Sequence, residues 1–209
     1  STFHPEFAYL PRKFKIAVNA AESDRAAIRF HDIGVELVRD PQGEIALDIW
    51  AGGGLGRTPV VAEKVVANLP PRYLLSYLEA ILRVYNRYGR RDNKYKARIK
   101  ILVKALGVEA FREKVEAEWQ HMKDTEMDLP RSEVERMQAQ FPAPDYAELA
   151  DIPPALQQAR QEHPGFDAWL KRNCHAHKQA GYQAVTLSLK ATAVAPGDIT
   201  SDELFAVAD

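Results

Sequence analysis

The 209-residue sequence predicts an α+β fold in which a mixed sheet packs against helices. Apolar residues recur with a period of two in the first fifty residues, which is typical of strands, and every three or four residues from residue 74, which is typical of helices. The composition, 46% hydrophobic and 27% charged, excludes global disorder and collagen-like repeats. The length suits one large domain, or one domain and a half.

Short strands are predicted in the first fifty residues. Residues 13–20 alternate between apolar and mostly charged side chains, which predicts a half-buried strand whose apolar face holds Phe14, Ile16 and Val18. Further strands are predicted at 26–30, 34–38 and 44–50. The last two flank Asp40-Pro41-Gln42-Gly43, whose residue types favour a hairpin turn.

Helices are predicted in the middle of the chain. After a glycine run at 52–54, a helix is expected to begin at Val60. A long amphipathic helix of about 17 residues follows, and Gly89 is placed to end it in a left-handed cap. Its apolar face holds Leu74, Leu75, Leu78, Ile81, Leu82 and Tyr85. Two more helices are predicted, at 97–106, ended by Gly107, and at 108–123.

The last third of the chain is predicted to be less regular. Residues 124–165 hold six prolines and indicate a covering or connecting arm with short helices at 132–140 and 154–161. A strand is predicted at 182–189, and a helix is expected to start at Thr200 or Ser201. Because the chain stops two turns into that helix, we expect it to end inside a larger protein.

Positive charge is concentrated in one segment. Residues 83–100 contain eight basic residues and one acid, a net charge of +7, although the whole chain has a net charge of −1. This distribution favours binding of a discrete anion over binding of nucleic acid, which we do not expect. No apolar stretch reaches the length of a membrane span or of an export signal, so we expect no membrane contact and a cytoplasmic location.

Three groups of residues could carry chemistry. The glycine run at 52–54 could direct backbone amides at an anion, or it could be an ordinary wide turn. Arg12 could belong to a solvated sheet edge or to a binding site. Arg98 and Lys100 point about 200° apart on an ideal helix, so they can meet one ligand only if that turn is irregular.

A metal site is not expected. The segment from Cys174 to His177 offers one thiol and two imidazoles without a fourth partner nearby in sequence. With Cys174 as its single cysteine, the chain can form no internal disulfide and cannot supply four thiolates to a cluster.

Three motifs together resemble the sulfite/nitrite reductase haemoprotein family, the assimilatory type that holds sirohaem and a [4Fe–4S] cluster. They are Tyr-Leu-Pro-Arg-Lys-Phe-Lys at 9–15, Gly-Gly-Gly-Leu at 52–55, and Ala-Arg-Ile-Lys at 97–100 ahead of Gly107. The resemblance implies a first sirohaem-binding half-domain over 8–123, a connecting arm over 124–180 and the truncated start of a second ferredoxin-like domain over 181–209.

The resemblance also implies roles for individual residues. Arg12, Arg98 and Lys100 match basic residues that bind the oxyanion substrate, although the family normally has lysine where this chain has Arg98. The residues expected against the sirohaem macrocycle or its carboxylates are Lys13, Lys15, Gly52, Gly53, Gly54 and Arg57.

The family reduces sulfite to sulfide or nitrite to ammonia with six electrons from a donor such as ferredoxin or a flavoprotein. Lys100 favours sulfite, since nitrite enzymes of the family tend to carry an amide at the matching position. The four cluster cysteines of the family are absent, so we expect the chain alone to be inactive and to hold neither cofactor tightly. A second possibility is a non-enzymatic module, complete at this length, that binds an anion or a tetrapyrrole.

Overall fold

A computed structural model describes residues 4–149, 152–190 and 192–208. The chain divides into two units, Ser1–Phe141 and Pro142–Asp209. The predicted α+β class is confirmed, because a four-stranded sheet and a set of helices make up the first unit. The boundaries proposed at residues 123 and 180 stay predictions.

The sheet of the first unit is mixed. Its strands are β1 (Ile16–Asn19), β2 (Ile33–Arg39), β3 (Ile45–Ala51) and β4 (Glu63–Leu69), in the order β1-β2-β3-β4. β1 runs parallel to β2, and the other neighbours are antiparallel. A parallel pair needs a crossover, and residues 20–32 supply it.

The predicted turn between β2 and β3 is confirmed. Asp40 closes it, since its Oδ1 accepts from the amides of Gln42 and Glu44, each at 2.9 Å. Gly43 adopts a φ of +87°, a value that L side chains rarely adopt.

Four helices follow in the first unit: α1 (Leu74–Tyr88), α2 (Ile99–Leu106), α3 (Val108–Trp119) and α4 (Arg131–Gln138). The core lies between the sheet and helices α1 to α3, where Tyr77, Ile81 and Tyr85 of α1 and Phe111 and Val115 of α3 are fully buried. The long amphipathic helix predicted at this place is therefore confirmed.

Gly89 ends α1, but not in the predicted conformation. Its φ of −65° and ψ of 141° are extended rather than left-handed. A β-carbon here would lie 2.7 Å from Cγ of Pro11 and even closer to the carbonyl oxygen of Tyr85. Close packing of the Pro11 segment, not a left-handed cap, is what excludes a side chain.

Two predicted elements are wrong. Residues 26–30 form a 3₁₀ turn, Ile28–Phe30, because the Asp24 carboxylate accepts the Ile28 amide at 3.0 Å and turns the chain. No helix begins at Val60, since that residue pairs with Gly54 and leads into β4. β4 pairs with β3, and its buried side chains Val65 and Leu69 belong to the core.

The first strand is shorter than predicted and has its faces reversed. It begins at Ile16, and the side chains of Ile16 and Val18 are 41% and 57% exposed, whereas Asn19 is buried. β1 lies at the edge of the sheet.

The second unit contains short elements. They are α5 (Pro154–Glu162), α6 (Phe166–Asn173), β5 (Cys174–Ala176), β6 (Gln183–Val185) and α7 (Ser201–Ala208), and β5 pairs with β6 antiparallel. The predicted strand at 182–189 is reduced to three residues. Thr200 starts α7 as predicted: its Oγ1 accepts the Glu203 amide, and the Glu203 carboxylate accepts the Thr200 amide at 2.8 Å. In the part of the chain that the structure describes, every helix is too short or too polar to cross a membrane.

Candidate functional site

A basic cleft of about 650 Å³ opens in the first unit between the loop after β3 and the turn before α2. Its cationic side chains are Arg12, Arg57, Lys96, Arg98 and Lys100. None of the described residues that line it is acidic; the others are Gly54, Leu55, Gly56, Thr58, Tyr95 and Ile101. The cleft therefore concentrates positive charge in a concave surface, which raises the local concentration of anions.

Arg12 reaches the cleft from the segment before β1. Its Nη1 donates to the carbonyl of Lys94, and its guanidinium lies 5.9 Å from the ring centroid of Tyr95. These contacts attach the segment around Arg12 to the segment before α2, although more than eighty residues separate them in sequence.

Tyr85, which is buried in the core, connects the same two segments by hydrogen bonds. Its buried hydroxyl lies 2.6 Å from the carbonyl oxygen of Ala97 and 3.1 Å from that of Arg12, and it donates its proton to this pair of acceptors. Burial raises the pKa of Tyr85 to about 12, so the phenol stays protonated and remains a donor. The backbone at Arg12 and at Ala97, the residue before Arg98, is thereby fixed.

Asp32 holds Arg98. The Asp32 carboxylate is fully buried and accepts from Arg98 through both oxygens, with Nε 2.8 Å from Oδ1 and Nη2 bonded to Oδ2. The same carboxylate accepts the backbone amide of Lys15 at 2.9 Å, and the Asp32 carbonyl accepts the amide of Gly52 at 3.0 Å. This hydrogen bonding with Asp32 raises the pKa of Arg98.

The turn at Arg98 is irregular. Arg98 has an extended backbone, with φ −77° and ψ 157°, and α2 begins only at Ile99. The divergence of about 200° expected on an ideal helix therefore does not apply. Arg98 and Lys100 line the same cleft.

Lys100 fixes the loop after β3. Its Nζ donates to the carbonyls of Thr58 at 2.7 Å and Leu55 at 3.1 Å. The loop is also closed by two backbone hydrogen bonds between Gly54 and Val60, both 2.9 Å. A strand, and not the expected helix, follows this loop, so no helix dipole adds to the field of its backbone amides.

The glycines permit close packing below the cleft. A β-carbon at Gly53 would lie 2.6 Å from the carbonyl oxygen of His31 and closer still to that of Arg29. Gly52 has a φ of +86° and packs against Val103. Both residues pack against the structure behind the loop. Of the three glycines at 52–54, only Gly54 lines the cleft.

The structure brings together five of the residues proposed from the sequence and leaves four outside the lining. Those inside are Arg12, Gly54, Arg57, Arg98 and Lys100. Gly52 and Gly53 lie behind the loop, and the exposed residues Lys13 and Lys15 lie on the segment that leads into β1.

Sequence reasoning assigned no site role to Asp32, Tyr85 or Tyr95, and it included Lys96 only as part of the basic segment at 83–100. A signal for Asp32 existed, since a single acid stands between the apolar residues Phe30 and Ile33 at the start of a strand. The helical spacing of Tyr85 indicates only a place on the apolar face of its helix. Its hydroxyl contacts connect distant segments and left no pattern in the sequence.

A possible metal-binding group lies elsewhere in the first unit. Ligand atoms of His4, Glu6 and Glu79 fall within 4.8 Å of one another. Arg83 forms salt bridges with both carboxylates, with Nη2 2.9 Å from Oε1 of Glu79 and Nε 3.3 Å from Oε2 of Glu6. The guanidinium occupies the place where a cation would bind.

Comparison with protein families matches residues 1–123 to the family described as nitrite and sulphite reductase 4Fe-4S domain. That match covers more than half of the chain and includes every residue of the basic cleft.

Individual relatives agree with this match. The chain is 37% identical over 116 residues to sulfite reductase [ferredoxin] 1 of Mycolicibacterium paratuberculosis, covering 56% of this chain and 20% of the relative. It is 34% identical over 116 residues to the sulfite reductase [NADPH] hemoprotein beta-component of Methylobacterium radiotolerans, covering 52% and 19%. The chain thus spans about a fifth of the length of these curated relatives.

A solved structure is also similar. The structure of the Mycobacterium tuberculosis NirA protein aligns with a TM-score of 0.52 and 36% sequence identity, over 60% of this chain and 22% of that one.

Proposed function

Because the chain belongs to the nitrite and sulphite reductase family, we propose that it forms the oxyanion-binding and sirohaem-binding part of a sulfite reductase. The relatives named above are sulfite reductases, and nitrite is the second substrate that the family description admits. The observation that carries the proposal is the basic cleft, whose described lining holds five cationic side chains and no acidic one.

The charge of the cleft suits sulfite. The Asp32 carboxylate compensates the charge of Arg98, so the net positive charge comes from Arg12, Arg57, Lys96 and Lys100. Sulfite carries up to two negative charges at neutral pH and nitrite carries one. Fixed cations in a partly desolvated site stabilise the more highly charged ion more strongly.

The same cations fit the carboxylates of sirohaem. Guanidinium groups pair with carboxylates in a forked geometry, and Arg57 is exposed on the loop with no salt bridge to a described residue. Sirohaem, when bound, supplies the iron at which the oxyanion is reduced. The cleft residues of this chain would bind and orient the oxyanion and the carboxylates.

A [4Fe–4S] cluster does not fit the residues of this chain. Such a cluster takes four cysteine thiolates, and the chain has only Cys174. We therefore propose that the cluster ligands lie outside this chain, and that an electron donor such as ferredoxin or a flavoprotein is a partner of the whole reductase.

Anion binding is tested by a matched pair of substitutions in α2. Lys100→Met removes the ammonium that lines the cleft, and Lys104→Met removes one that lies a turn further along and outside it. A charge-assisted hydrogen bond contributes about 1.5–3 kcal/mol, so Lys100→Met should weaken sulfite binding about tenfold or more. Sulfite titration of the chain followed by NMR is the measurement, and equal affinities in the two variants would contradict the proposal.

Catalysis is tested on the natural protein that contains this chain. It should contain sirohaem and reduce sulfite with a reduced viologen as the electron donor. A protein that binds sulfite through Lys100 and reduces neither sulfite nor nitrite would instead support the non-enzymatic anion-binding module.

A further inference from the structure

Asp32 and Arg98 form an unusual pair for a ligand-binding cleft. The Asp32 side chain is fully buried, and the Arg98 side chain is 24% exposed. Nε and Nη2 of Arg98 both donate to the carboxylate, whereas Nη1 has no hydrogen-bond partner among the described residues. One edge of the planar guanidinium is therefore bound, and the opposite nitrogen is left for a ligand.

We infer that Asp32 is a positioning residue, which binds the Nε and Nη2 edge of Arg98 so that Nη1 presents its two protons to the oxyanion. This inference rests on the proposed function. It assigns Arg98 the role of a neutralised, oriented hydrogen-bond donor, while Lys100 and its cationic neighbours supply the net charge.

The inference also accounts for arginine rather than lysine at position 98. A guanidinium is rigid and has donors on three separate nitrogens. It can therefore donate to both oxygens of a carboxylate from one edge and still donate to a ligand from the third nitrogen. A lysine ammonium has all of its protons on one atom. It cannot hold both carboxylate oxygens and point a fixed donor elsewhere.

Asp32 binds other parts of the site in addition to Arg98. Through its carboxylate and its carbonyl it also binds the amides of Lys15 and Gly52. The segment before β1, the glycine loop and the turn before α2 thus meet at one buried residue. Its position explains how three segments distant in sequence keep a common geometry.

Arginine side-chain NMR on the chain tests this role. A second aspartate pair provides the control: Arg90 binds Asp92 through Nε at 2.6 Å and Nη2 at 2.8 Å, but both side chains are exposed. Exchange of the Nε proton with solvent should be at least about tenfold slower for Arg98 than for Arg90, because exchange requires opening of a buried pair.

Substitutions then separate positioning from general stability. In a folded Asp32→Asn variant the Arg98 Nε proton should exchange as fast as that of Arg90, and Asp92→Asn should change Arg90 alone. If Asp32→Asn does not fold, the Nε exchange rates of Arg98 and Arg90 in the unaltered chain test the inference. Equal exchange rates there, or an unchanged Arg98 rate in Asp32→Asn, would overturn the inference.

Sulfite titration distinguishes the inference from the proposed function. Sulfite should shift the Arg98 Nη signals of the unaltered chain, relative to sodium chloride at equal ionic strength, and this shift should be lost in Asp32→Asn. If slow Nε exchange is observed but sulfite shifts no cleft side chain, the oxyanion function fails and the fixed orientation of Arg98 stands. If sulfite shifts Arg98 equally in both proteins, the positioning role fails and the oxyanion function stands.

Discussion

The side chain of Arg98 lies against that of Asp32, with Arg98 Nε 2.8 Å from Asp32 Oδ1, although 66 residues separate the two in sequence. The carboxylate is inaccessible to solvent, so the loss of Arg98 leaves a buried charge whose remaining hydrogen bond comes from the Lys15 amide.

The first prediction concerns the stability of this pair. Arg98→Gln should lower the free energy of unfolding by about 3–5 kcal/mol, because it leaves the buried Asp32 charge uncompensated. Arg90→Gln, which breaks the exposed pair with Asp92, should change it by less than about 1 kcal/mol. Urea denaturation of both variants is the measurement, and equal effects would show that Asp32 is accessible to water.

The second prediction concerns Tyr85. Tyr85→Phe removes the hydroxyl that donates to the carbonyls of Ala97 and Arg12. It should lower the free energy of unfolding by about 1–3 kcal/mol, because a buried acceptor is left unsatisfied. Tyr95→Phe is the control, since Tyr95 is 76% exposed and its hydroxyl has no hydrogen bond to a described residue. Equal denaturation midpoints for the two variants would exclude a structural role for the Tyr85 hydroxyl.

The third prediction concerns alkaline pH. Burial raises the pKa of Tyr85 to about 12 from its ordinary value of 10.0, and burial together with the hydrogen bond to Glu116 raises that of Tyr77 further. A folded-state pKa above the unfolded value gives stability that is fully present below pH 10 and is lost as the pH rises through the folded pKa.

The free energy of unfolding should therefore fall between about pH 10 and about pH 12. Tyr85→Phe should reduce that slope, because one titrating group is gone. Urea denaturation at a series of pH values checks this. A slope identical in the two proteins would mean that Tyr85 ionises as freely in the folded state as in the unfolded chain.

The fourth prediction concerns the glycine loop. Gly53→Ala forces a β-carbon against the carbonyl oxygens of Arg29 and His31 and should destabilise the chain by about 1–3 kcal/mol or more. Gly43→Asn is the control, because the space at the Gly43 turn is open and asparagine tolerates a positive φ. Comparison of the two thermal midpoints is the measurement, and a tolerated alanine at position 53 would indicate a looser loop.

Part of the fold was predictable because local patterns report local structure. The turn at Asp40 and Gly43, the amphipathic helix α1 and the capping Thr200 each depend on residues within a few positions of one another. The faces of β1 were not predictable, because burial depends on what covers the sheet. Ile16 and Val18 alternate as core residues do, but their side chains are exposed on the edge strand.

The sequence by itself determined the basic segment at 83–100, the absence of a four-thiolate site and the motifs that identified the family. The tertiary structure alone decided which cations line one cleft. Arg12, Arg57 and Lys100 meet because strand pairing and the hydroxyl of Tyr85 bring distant segments together. Arg98 is neutralised because folding buries Asp32 beside it. A charge count along the chain cannot distinguish a paired cation from an available one, since pairing depends on distances that only the packed chain defines.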